Sequence, residues 1–356
     1  MTTVGRVGQA IPGYELKAKL GEGGAGVVYR ARRTATDREV ALKILHAGDA
    51  DPEAEARFVR EQRLLVEHPH PNLVPVLNCG VEVGLRWLAM ELVPGAPLAA
   101  GLDAGRRLSA ADALRAARAL AAGLAHLHGL GIVHRGLRPS SVLVDDVGTL
   151  AIADAGLAAP AHASLEHASL AHASLEHGGA PAGTLAYLAP EVARGEEPGP
   201  AADVYALGVM LYELAAGRLP YRADDLSGWL RAIASAPVAP LSDPAVPPAL
   251  AALIDRALSR PPGARPTAAA LSEALDALPL PEQSGSRLAS LSSVPPRASW
   301  RAARQLPLPA VLPPPGAART LAIGLAAALA VSAAMGALKA VRARYASPAA
   351  TSGSPR

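Results

Sequence analysis

Residues 21–45 read GEGGAGVVYRARRTATDREVALKIL, a stretch that combines a glycine-rich turn with a lysine in an apolar strand. Gly21, Gly23 and Gly26 form a G-x-G-x-x-G pattern between two strand-like runs, where backbone N–H groups can approach phosphate oxygens closely. A strand follows these glycines, which disfavours a dinucleotide-binding crossover. Lys43 lies in an apolar run, and a buried ammonium group needs an acidic partner. Glu61, in the next predicted helix, can supply that partner.

The segments around this stretch change from strand-like to helical along the chain. Residues 14–93 are rich in β-branched and large apolar residues, and one predicted helix at about 51–67 interrupts them. Residues 96–279 show mainly helical patterns, with Asp, Ser, Thr or Pro at several helix starts. Strands followed by helices predict an α+β fold with two lobes and a ligand site in the cleft between them. Residues 1–13 are interpreted as an N-terminal extension.

Further motifs follow in order downstream. They are His134-Arg135, Asp154-Ala155-Gly156, Gly183-Thr184, Ala189-Pro190-Glu191, Asp203 and Arg265. With the glycine-rich turn and Lys43, they make residues 14 to about 275 resemble the protein kinase family, in particular bacterial membrane-linked Ser/Thr kinases. The resemblance implies a protein-kinase-like fold with a small β-rich N-lobe and a larger helical C-lobe. It also implies that the chain binds ATP and Mg²⁺, and that Arg265 pairs with Glu191.

The resemblance assigns most of the retained residues to ATP binding. Lys43 would hold the α- and β-phosphates, and Glu61 would orient Lys43. Met90 would lie at the back of the pocket, and the backbone of the hinge, from Glu91 to Val93, would bind the base. Asp154 would hold a metal ion. The adenine ring would lie between the side chains of Val28, Ala41 and Leu143.

The catalytic loop departs from the family pattern HRDLKPxN, because residues 134–141 read HRGLRPSS. Gly136 replaces the aspartate that accepts and orients the substrate hydroxyl. Arg138 replaces the lysine, and Ser141 replaces the metal-binding asparagine with a shorter neutral ligand. Ala155 also replaces a phenylalanine in the metal-binding motif. Losing a positioned general base typically costs about 10²–10⁴-fold in rate. We therefore expect an ATP-binding pseudokinase with weak or no phosphotransfer that acts as a signalling scaffold.

Two alternatives to the pseudokinase stay open at this point. One is an active Ser/Thr kinase that phosphorylates protein hydroxyls at a low rate, and the other is an interaction module whose cleft holds no nucleotide. Asp145 and Asp146 are the nearest acids that could replace the missing aspartate. Both follow a predicted strand at an expected turn, so their side chains should point away from the site. An unidentified signalling protein is the expected partner in each case.

A five-residue repeat, AHASLEHASLAHASLEH, fills residues 161–177. Its recurring histidines resemble zinc ligands, but successive ones would diverge by about 140° on a helix, so a zinc site is not expected. In the family, Arg135 pairs with a phosphorylated residue of this segment, which a second kinase could modify. An unmodified loop is the alternative. The candidate acceptors are Ser164, Ser169, Ser174 and Thr184.

His126 and His128 are two residues apart on a helix and are interpreted as structural.

The C-terminal region is interpreted as a membrane anchor. Residues 280–319 form a linker rich in Pro, Ser and Arg, and residues 320–338 carry no charge. As a helix the uncharged run is about 28 Å long, close to the thickness of a bilayer core, although a soluble Ala-rich helix is the rival interpretation. A single span would place the kinase-like domain in the cytoplasm, at the inner membrane, and the basic tail 339–356 outside. Small residues four apart permit a homodimer: Gly324, Ala328, Ser332 and Gly336.

Composition sets outer limits on these interpretations. Half of the residues are hydrophobic and 18% are charged, which excludes a wholly disordered chain. The formal net charge of +3 gives no reason to expect nucleic acid as a partner. Cys79 is the single cysteine, which excludes an internal disulfide and a Cys-rich zinc site. The first residues lack an apolar run, so a secretory signal is not expected.

Overall fold

A computed structural model describes residues 11–23, 25–46, 51–82, 84–103, 108–157, 185–223, 226–241, 243–281 and 288–291. The predicted membrane span at 320–338 lies outside these residues, as do the repeat at 161–177 and Thr184. Among the described helices, none combines the length and the apolar character that a membrane crossing requires.

The N-lobe is built on a five-stranded antiparallel sheet. Its strands, in the spatial order β1-β2-β3-β5-β4, are β1 (Tyr14–Gly23), β2 (Gly26–Arg33), β3 (Arg38–Leu45), β4 (Val76–Glu82) and β5 (Leu85–Glu91). Helix α1 (Pro52–Glu67) packs against β4. Asp51 caps α1 by accepting a hydrogen bond from the backbone N–H of Glu53, and Pro52 occupies the first helical position. The helix predicted at about 51–67 is therefore confirmed.

The two faces of this sheet have different roles because side chains alternate along a strand. Val40, Leu42 and Ile44 of β3 belong to an apolar cluster with Trp87 that lies within the N-lobe. On the other face, Ala41 joins the large core cluster that continues into the C-lobe. Lys43 is two residues further along the strand, so it shares the face of Ala41. The pattern of β3 thus turns its lysine toward the interior shared by both lobes.

The C-lobe is mainly helical and carries a small three-stranded sheet, in the order β6-β7-β8. The strands are β6 (Gly95–Pro97), β7 (Val142–Asp145) and β8 (Leu150–Ile152). The helices are α2 (Leu98–Asp103), α3 (Ala110–Gly129), α4 (Pro190–Ala193), α5 (Pro200–Ala216), α6 (Leu226–Ser235), α7 (Pro248–Ala257) and α8 (Ala268–Asp276). Helix α3 packs against both α5 and α8. This is the kinase-like two-lobe α+β fold that the sequence predicts.

The segment before β4 connects the N-lobe to the C-lobe sheet. The N–H of Ile152 donates to the carbonyl of Asn72, and the N–H of Val74 donates to the carbonyl of Ile152, both at 2.8 Å. The Asn72 amide also donates to the carbonyl of Leu150 at 2.9 Å. These bonds fix β8, and hence the residues that follow it, against the N-lobe.

A buried ion pair joins α4 to the loop that precedes α8 in the C-lobe. The guanidinium of Arg265 binds both carboxylate oxygens of Glu191, at 2.6 and 2.7 Å, which confirms the pairing that the sequence predicts. Its remaining N–H groups donate to the carbonyls of Ser259, Ala201 and Arg260. A buried charge pair is tolerated when its hydrogen-bonding groups are satisfied in this way.

Removing one partner of this pair should strongly destabilise the protein, because the other charge would stay buried without compensation. For Glu191→Ala we expect a loss of about 3–5 kcal/mol in the free energy of unfolding, measured by urea denaturation. Arg194 forms a matched surface pair with Glu196, in which both side chains are more than half exposed. Arg194→Ala should cost between about 0 and 1 kcal/mol. Equal losses in the two variants would contradict the structural role of the buried pair.

Candidate functional site

The predicted nucleotide lysine and the predicted metal-binding aspartate are in direct contact. Lys43 Nζ lies 2.7 Å from Asp154 Oδ1, and the lysine side chain is only 6% exposed. Strand β3 presents the lysine, and Asp154 follows β8 with a φ of 65°. Aspartate is one of the few residue types that adopts this left-handed conformation readily. The ammonium group of Lys43 and the carboxylate of Asp154 therefore lie side by side in the site.

Glu61 forms no salt bridge with Lys43 in this structure, so the prediction that it orients the lysine gains no support here. Its Oε1 lies 3.3 Å from Nη2 of Arg135, while Lys43 is paired with Asp154 instead. The second oxygen, Oε2, is buried without a hydrogen-bond partner. Gly156 allows this approach, since a Cβ added there would lie 2.6 Å from Oε2. The sequence offers Glu61 as a partner for a buried lysine, but it does not show that Arg135 competes for the same carboxylate.

The catalytic loop is held by a buried carboxylate of α5. Asp203 accepts hydrogen bonds from the backbone N–H groups of His134 at 2.7 Å and Arg135 at 2.9 Å. His128 Nε2 lies 3.0 Å from the same carboxylate, so this histidine has a structural role, as predicted. Arg135 has a φ of 66°, a strained conformation for a long side chain. The bonds to Asp203 fix the backbone at this strained residue and at the residue before it.

His134 links the loop to the metal-binding motif. The ring is buried, and its Nε2 lies 2.9 Å from the carbonyl of Ala153, while Nδ1 accepts the N–H of Gly136 at 3.3 Å. Burial lowers the pKa of His134 below its usual value, and the nearby Asp203 carboxylate opposes this shift. A neutral ring with its proton on Nε2 satisfies both hydrogen bonds.

Gly136 and Ser141 are two of the catalytic-loop residues that differ from the family pattern. Gly136 is exposed, and its φ is not among the positive values that the described residues show. The Ser141 hydroxyl is buried and is used locally, because it donates to the carbonyl of Arg138 at 2.8 Å and accepts the N–H of Arg138 at 3.1 Å. Its assignment as a metal ligand gains no support from this arrangement and stays a prediction.

The nearest acid in the chain is occupied elsewhere. Asp145 is buried at the β7–β8 turn, and its Oδ1 accepts the N–H groups of Val147 at 3.1 Å and Thr149 at 2.6 Å. This is a local turn in which the carboxylate satisfies backbone donors. Of the two acids predicted to point away from the site, Asp145 is confirmed to bind its own turn.

Several residues assigned to the adenine pocket lie on neighbouring strands of the N-lobe sheet. Val28 is the cross-strand partner of Lys43, and Ala41 is the partner of Met90. Cross-strand partners project from the same face of a sheet, so these side chains share the face of the lysine. Leu143 lies in β7 of the C-lobe sheet and packs against the same core cluster.

The hinge and the glycine-rich turn carry the remaining predicted contacts. Glu91 is anchored, because its carboxylate pairs with Arg38 at 2.7 Å and its N–H donates to the carbonyl of Pro75 at 2.9 Å. Val93 is half-buried beside the core. Gly26 has a structural reason to be glycine, since a Cβ there would lie 2.2 Å from the carbonyl oxygen of Ile44. Added Cβ atoms on the other two motif glycines, Gly21 and Gly23, would meet open space.

The residues present suit a magnesium ion carried by a nucleotide. Mg²⁺ is commonly held by one or two protein carboxylates, with phosphates and waters as its other ligands. Asp154 supplies one carboxylate, and its side chain is 30% exposed. Within the described ranges, no three His, Cys, Asp or Glu side chains come together as a metal-binding group. The site therefore fits a metal bound jointly with phosphate oxygens, and no dedicated metal centre is described.

Sequence reasoning misses one polar contact of the site. Gln62 is buried on α1, and its amide donates to the carbonyl of Ala155 at 3.0 Å. The contact ties α1 to the backbone just after Asp154. An uncharged polar residue on the buried face of α1, next to Glu61, is the signal that could have identified it.

Comparisons with known proteins agree with this geometry. A family model described as a protein kinase domain matches residues 14–275. The chain is 38% identical over 269 residues to the DNA damage-responsive serine/threonine-protein kinase RqkA of Deinococcus radiodurans, covering 72% of this chain and 38% of the relative. It is 33% identical to the serine/threonine-protein kinase PrkC of Bacillus subtilis, covering 72% and 39% of the two chains. It thus spans well under half the length of these two relatives.

A third similar protein matches over a longer stretch. The chain is 32% identical over 326 residues to the serine/threonine-protein kinase PknA of Mycobacterium tuberculosis, covering 89% of this chain and 68% of the relative. The fold, the Lys43–Asp154 pair and the family match over residues 14–275 lead to one conclusion. This chain belongs to the protein kinase family.

Proposed function

We propose that this chain is an ATP-binding pseudokinase that works mainly as a signalling scaffold. The observation that carries the proposal is the retained Lys43–Asp154 pair beside a catalytic loop with Gly136 at the position of the family's aspartate. The first feature favours binding of a nucleotide with its metal. The second removes the carboxylate that would receive and aim a protein hydroxyl.

Nucleotide binding is supported by complementary charge. Lys43 offers an ammonium group to phosphate oxygens, and Asp154 offers a carboxylate to Mg²⁺. In the structure these two groups neutralise each other at 2.7 Å. An arriving Mg²⁺-nucleotide would give each of them a new partner of the opposite charge. The metal, when bound, would neutralise charge on the phosphates, while the chain would position them.

Weak phosphotransfer is supported by the loop itself. Gly136 has no side chain, and Ser141 uses its hydroxyl on the backbone of Arg138. Asp145 is occupied in its own turn. Asp145, one of the two nearest acids along the chain, is therefore not available as a replacement base. A loss of about 10²–10⁴-fold in rate is expected from the missing base alone.

A low-rate active kinase is the second candidate function. The relatives are named serine/threonine-protein kinases, and the present chain retains the glycine-rich turn, Lys43 and Asp154. Positioning and charge stabilisation contribute most of the catalysis in phosphoryl transfer, so activity can persist without the base. The two candidates differ only in how much transfer the wild-type chain performs.

Membrane anchoring and phosphorylation are further parts of the proposal. Residues 320–338 would anchor the chain, and carbonate extraction tests this, since release into the soluble fraction would exclude a span.

Phosphate on a serine of residues 161–177 would compete with the Glu61 carboxylate for Arg135, whose Nη2 lies 3.3 Å from Glu61 Oε1. Mass spectrometry of the native protein tests the switch, and an unmodified segment would remove it.

ATP with Mg²⁺ should stabilise the wild-type protein against heat. A ligand present at 100 times its dissociation constant adds about 2.7 kcal/mol to the free energy of unfolding, which a thermal-shift titration detects. Lys43→Met should greatly reduce this shift, because it removes the phosphate partner. Lys17→Met is the matched control, since Lys17 lies on β1 of the same sheet and is 40% exposed. No shift in the wild-type protein would favour the interaction module with an empty cleft.

Restoring the carboxylate should restore phosphotransfer. Gly136→Asp should raise transfer of radiolabelled phosphate from ATP to a generic basic protein by about 10²–10⁴-fold. Because Gly136 is exposed and its φ is not positive, its backbone can carry a side chain. Ser140→Asp is the matched control, as it adds the same charge at another exposed loop position.

The reference for both variants is Lys43→Ala. The pseudokinase proposal expects a wild-type signal close to that of Lys43→Ala and far below that of Gly136→Asp. A wild-type signal that exceeds Lys43→Ala, and that Gly136→Asp fails to increase, would establish the active kinase instead.

A further inference from the structure

The chain leaves the last helix of the kinase-like domain along a defined path. Arg118 of α3 donates from Nε to the carbonyl of Leu275 at 3.0 Å and from Nη2 to the carbonyl of Asp276 at 3.1 Å. It also binds the carbonyl of Leu278. A guanidinium is well suited to collect carbonyls at a helix C-terminus. Just beyond them, Leu280 is 43% exposed.

A short 3₁₀ turn further along, Leu288–Leu291, packs back onto the C-lobe. Leu288 and Leu291 are 4% and 3% exposed, although the composition of this region predicts a linker. The turn contacts α2 and β7. Its two leucines also belong to the main core cluster of the protein. Burial of two leucines in a polar, proline-rich region indicates a specific docking surface.

Two glycines make room for the docked turn. A Cβ added at Gly101 of α2 would lie 2.8 Å from Leu291 Cδ2 and 3.1 Å from Leu291 Cβ. A Cβ added at Gly148 would lie 2.7 Å from the backbone nitrogen of Ala289 and 2.8 Å from Leu288 Cβ. Gly148 also has a φ of 85°, which the β7–β8 turn requires. At both ends of the turn, the docking surface therefore approaches so closely that a Cβ atom would not fit between them.

The elements beneath the turn also frame the proposed nucleotide cleft. Helix α2 contacts the Pro139–Ser141 turn of the catalytic loop as well as Leu288–Leu291. Strand β7 carries Leu143, the residue assigned to the C-lobe wall of the adenine pocket, and it pairs with β6 just after the hinge. The docked turn thus packs on the elements that support this wall.

We propose that Leu288–Leu291 is an intramolecular strap that holds α2 against β7 and thereby strengthens nucleotide binding. The strap lies within the linker that leads to the apolar run at 320–338. Displacement of the strap from the C-lobe would therefore loosen the C-lobe wall of the cleft. The effect on nucleotide rests on the proposed ATP binding, whereas the docking itself does not.

Trypsin cleavage after Arg287 measures the docking directly, because a protease needs the residues beyond its cut to leave the surface. In the full-length chain, Leu288→Ser combined with Leu291→Ser should raise the cleavage rate after Arg287 by roughly tenfold to a hundredfold, since two buried leucines are lost. Leu280→Ser is the matched control, since it makes the same change at an exposed leucine and should leave the rate unchanged.

Gly101→Ala tests the same contact from the other side. Alanine is a better helix former than glycine, so α2 itself should not be weakened. The added methyl group would displace Leu291, and we expect faster cleavage after Arg287 here as well. Cleavage at the wild-type rate in both the double serine variant and Gly101→Ala would overturn the strap.

Nucleotide linkage provides the second measurement. If the strap supports the cleft, ATP with Mg²⁺ should slow the Arg287 cut in the wild-type chain, and the double serine variant should bind ATP more weakly by the same factor. Equal ATP affinity in the two proteins would overturn the coupling. If ATP stabilises neither protein, the proposed nucleotide binding fails, and the cleavage rates without ATP still decide whether the strap exists.

Discussion

The carboxylate of Asp203 is the constraint on which the site depends. It is buried at the first turn of α5, where it accepts the backbone N–H groups of His134 and Arg135. Arg135 has a left-handed backbone that a long side chain avoids, so the loop needs an external anchor. The buried helix α5 supplies that anchor because it is fixed by packing along its length. Loop geometry is thereby set from the C-lobe core.

The charges of the cleft form a chain of competing pairs. Lys43 is bound to Asp154, and Glu61 is bound to Arg135 with one carboxylate oxygen left unsatisfied. A buried oxygen without a partner is costly, so this arrangement is not the best that these groups could make. A ligand that draws Asp154 away from the lysine would free an ammonium group near the sheet face. The pairing is therefore suited to change when phosphate and metal arrive.

Retention and loss follow a physical division in this protein. Lys43 and Asp154, which the family resemblance assigns to nucleotide binding, are kept, as is the buried Glu191–Arg265 pair that stabilises the C-lobe. The changes fall in the catalytic loop, at Gly136, Arg138 and Ser141, and at Ala155 beside Asp154. The fold keeps its two lobes with these changes, although Ser141 and Ala155 are buried.

The sequence by itself determined the two-lobe fold, the order of the motifs and the vacancy at Gly136, because these depend on local pattern and on ordered short motifs. It also predicted the Arg265–Glu191 pair correctly. Tertiary structure decided which acid meets which base: the sequence pairs Lys43 with Glu61, whereas the folded chain pairs the lysine with Asp154. Partner choice among buried charges depends on three-dimensional distance and backbone direction, which spacing along the chain does not encode. The burial of the leucines at 288–291 was hidden for the same reason, since their docking surface comes from residues more than 100 positions away.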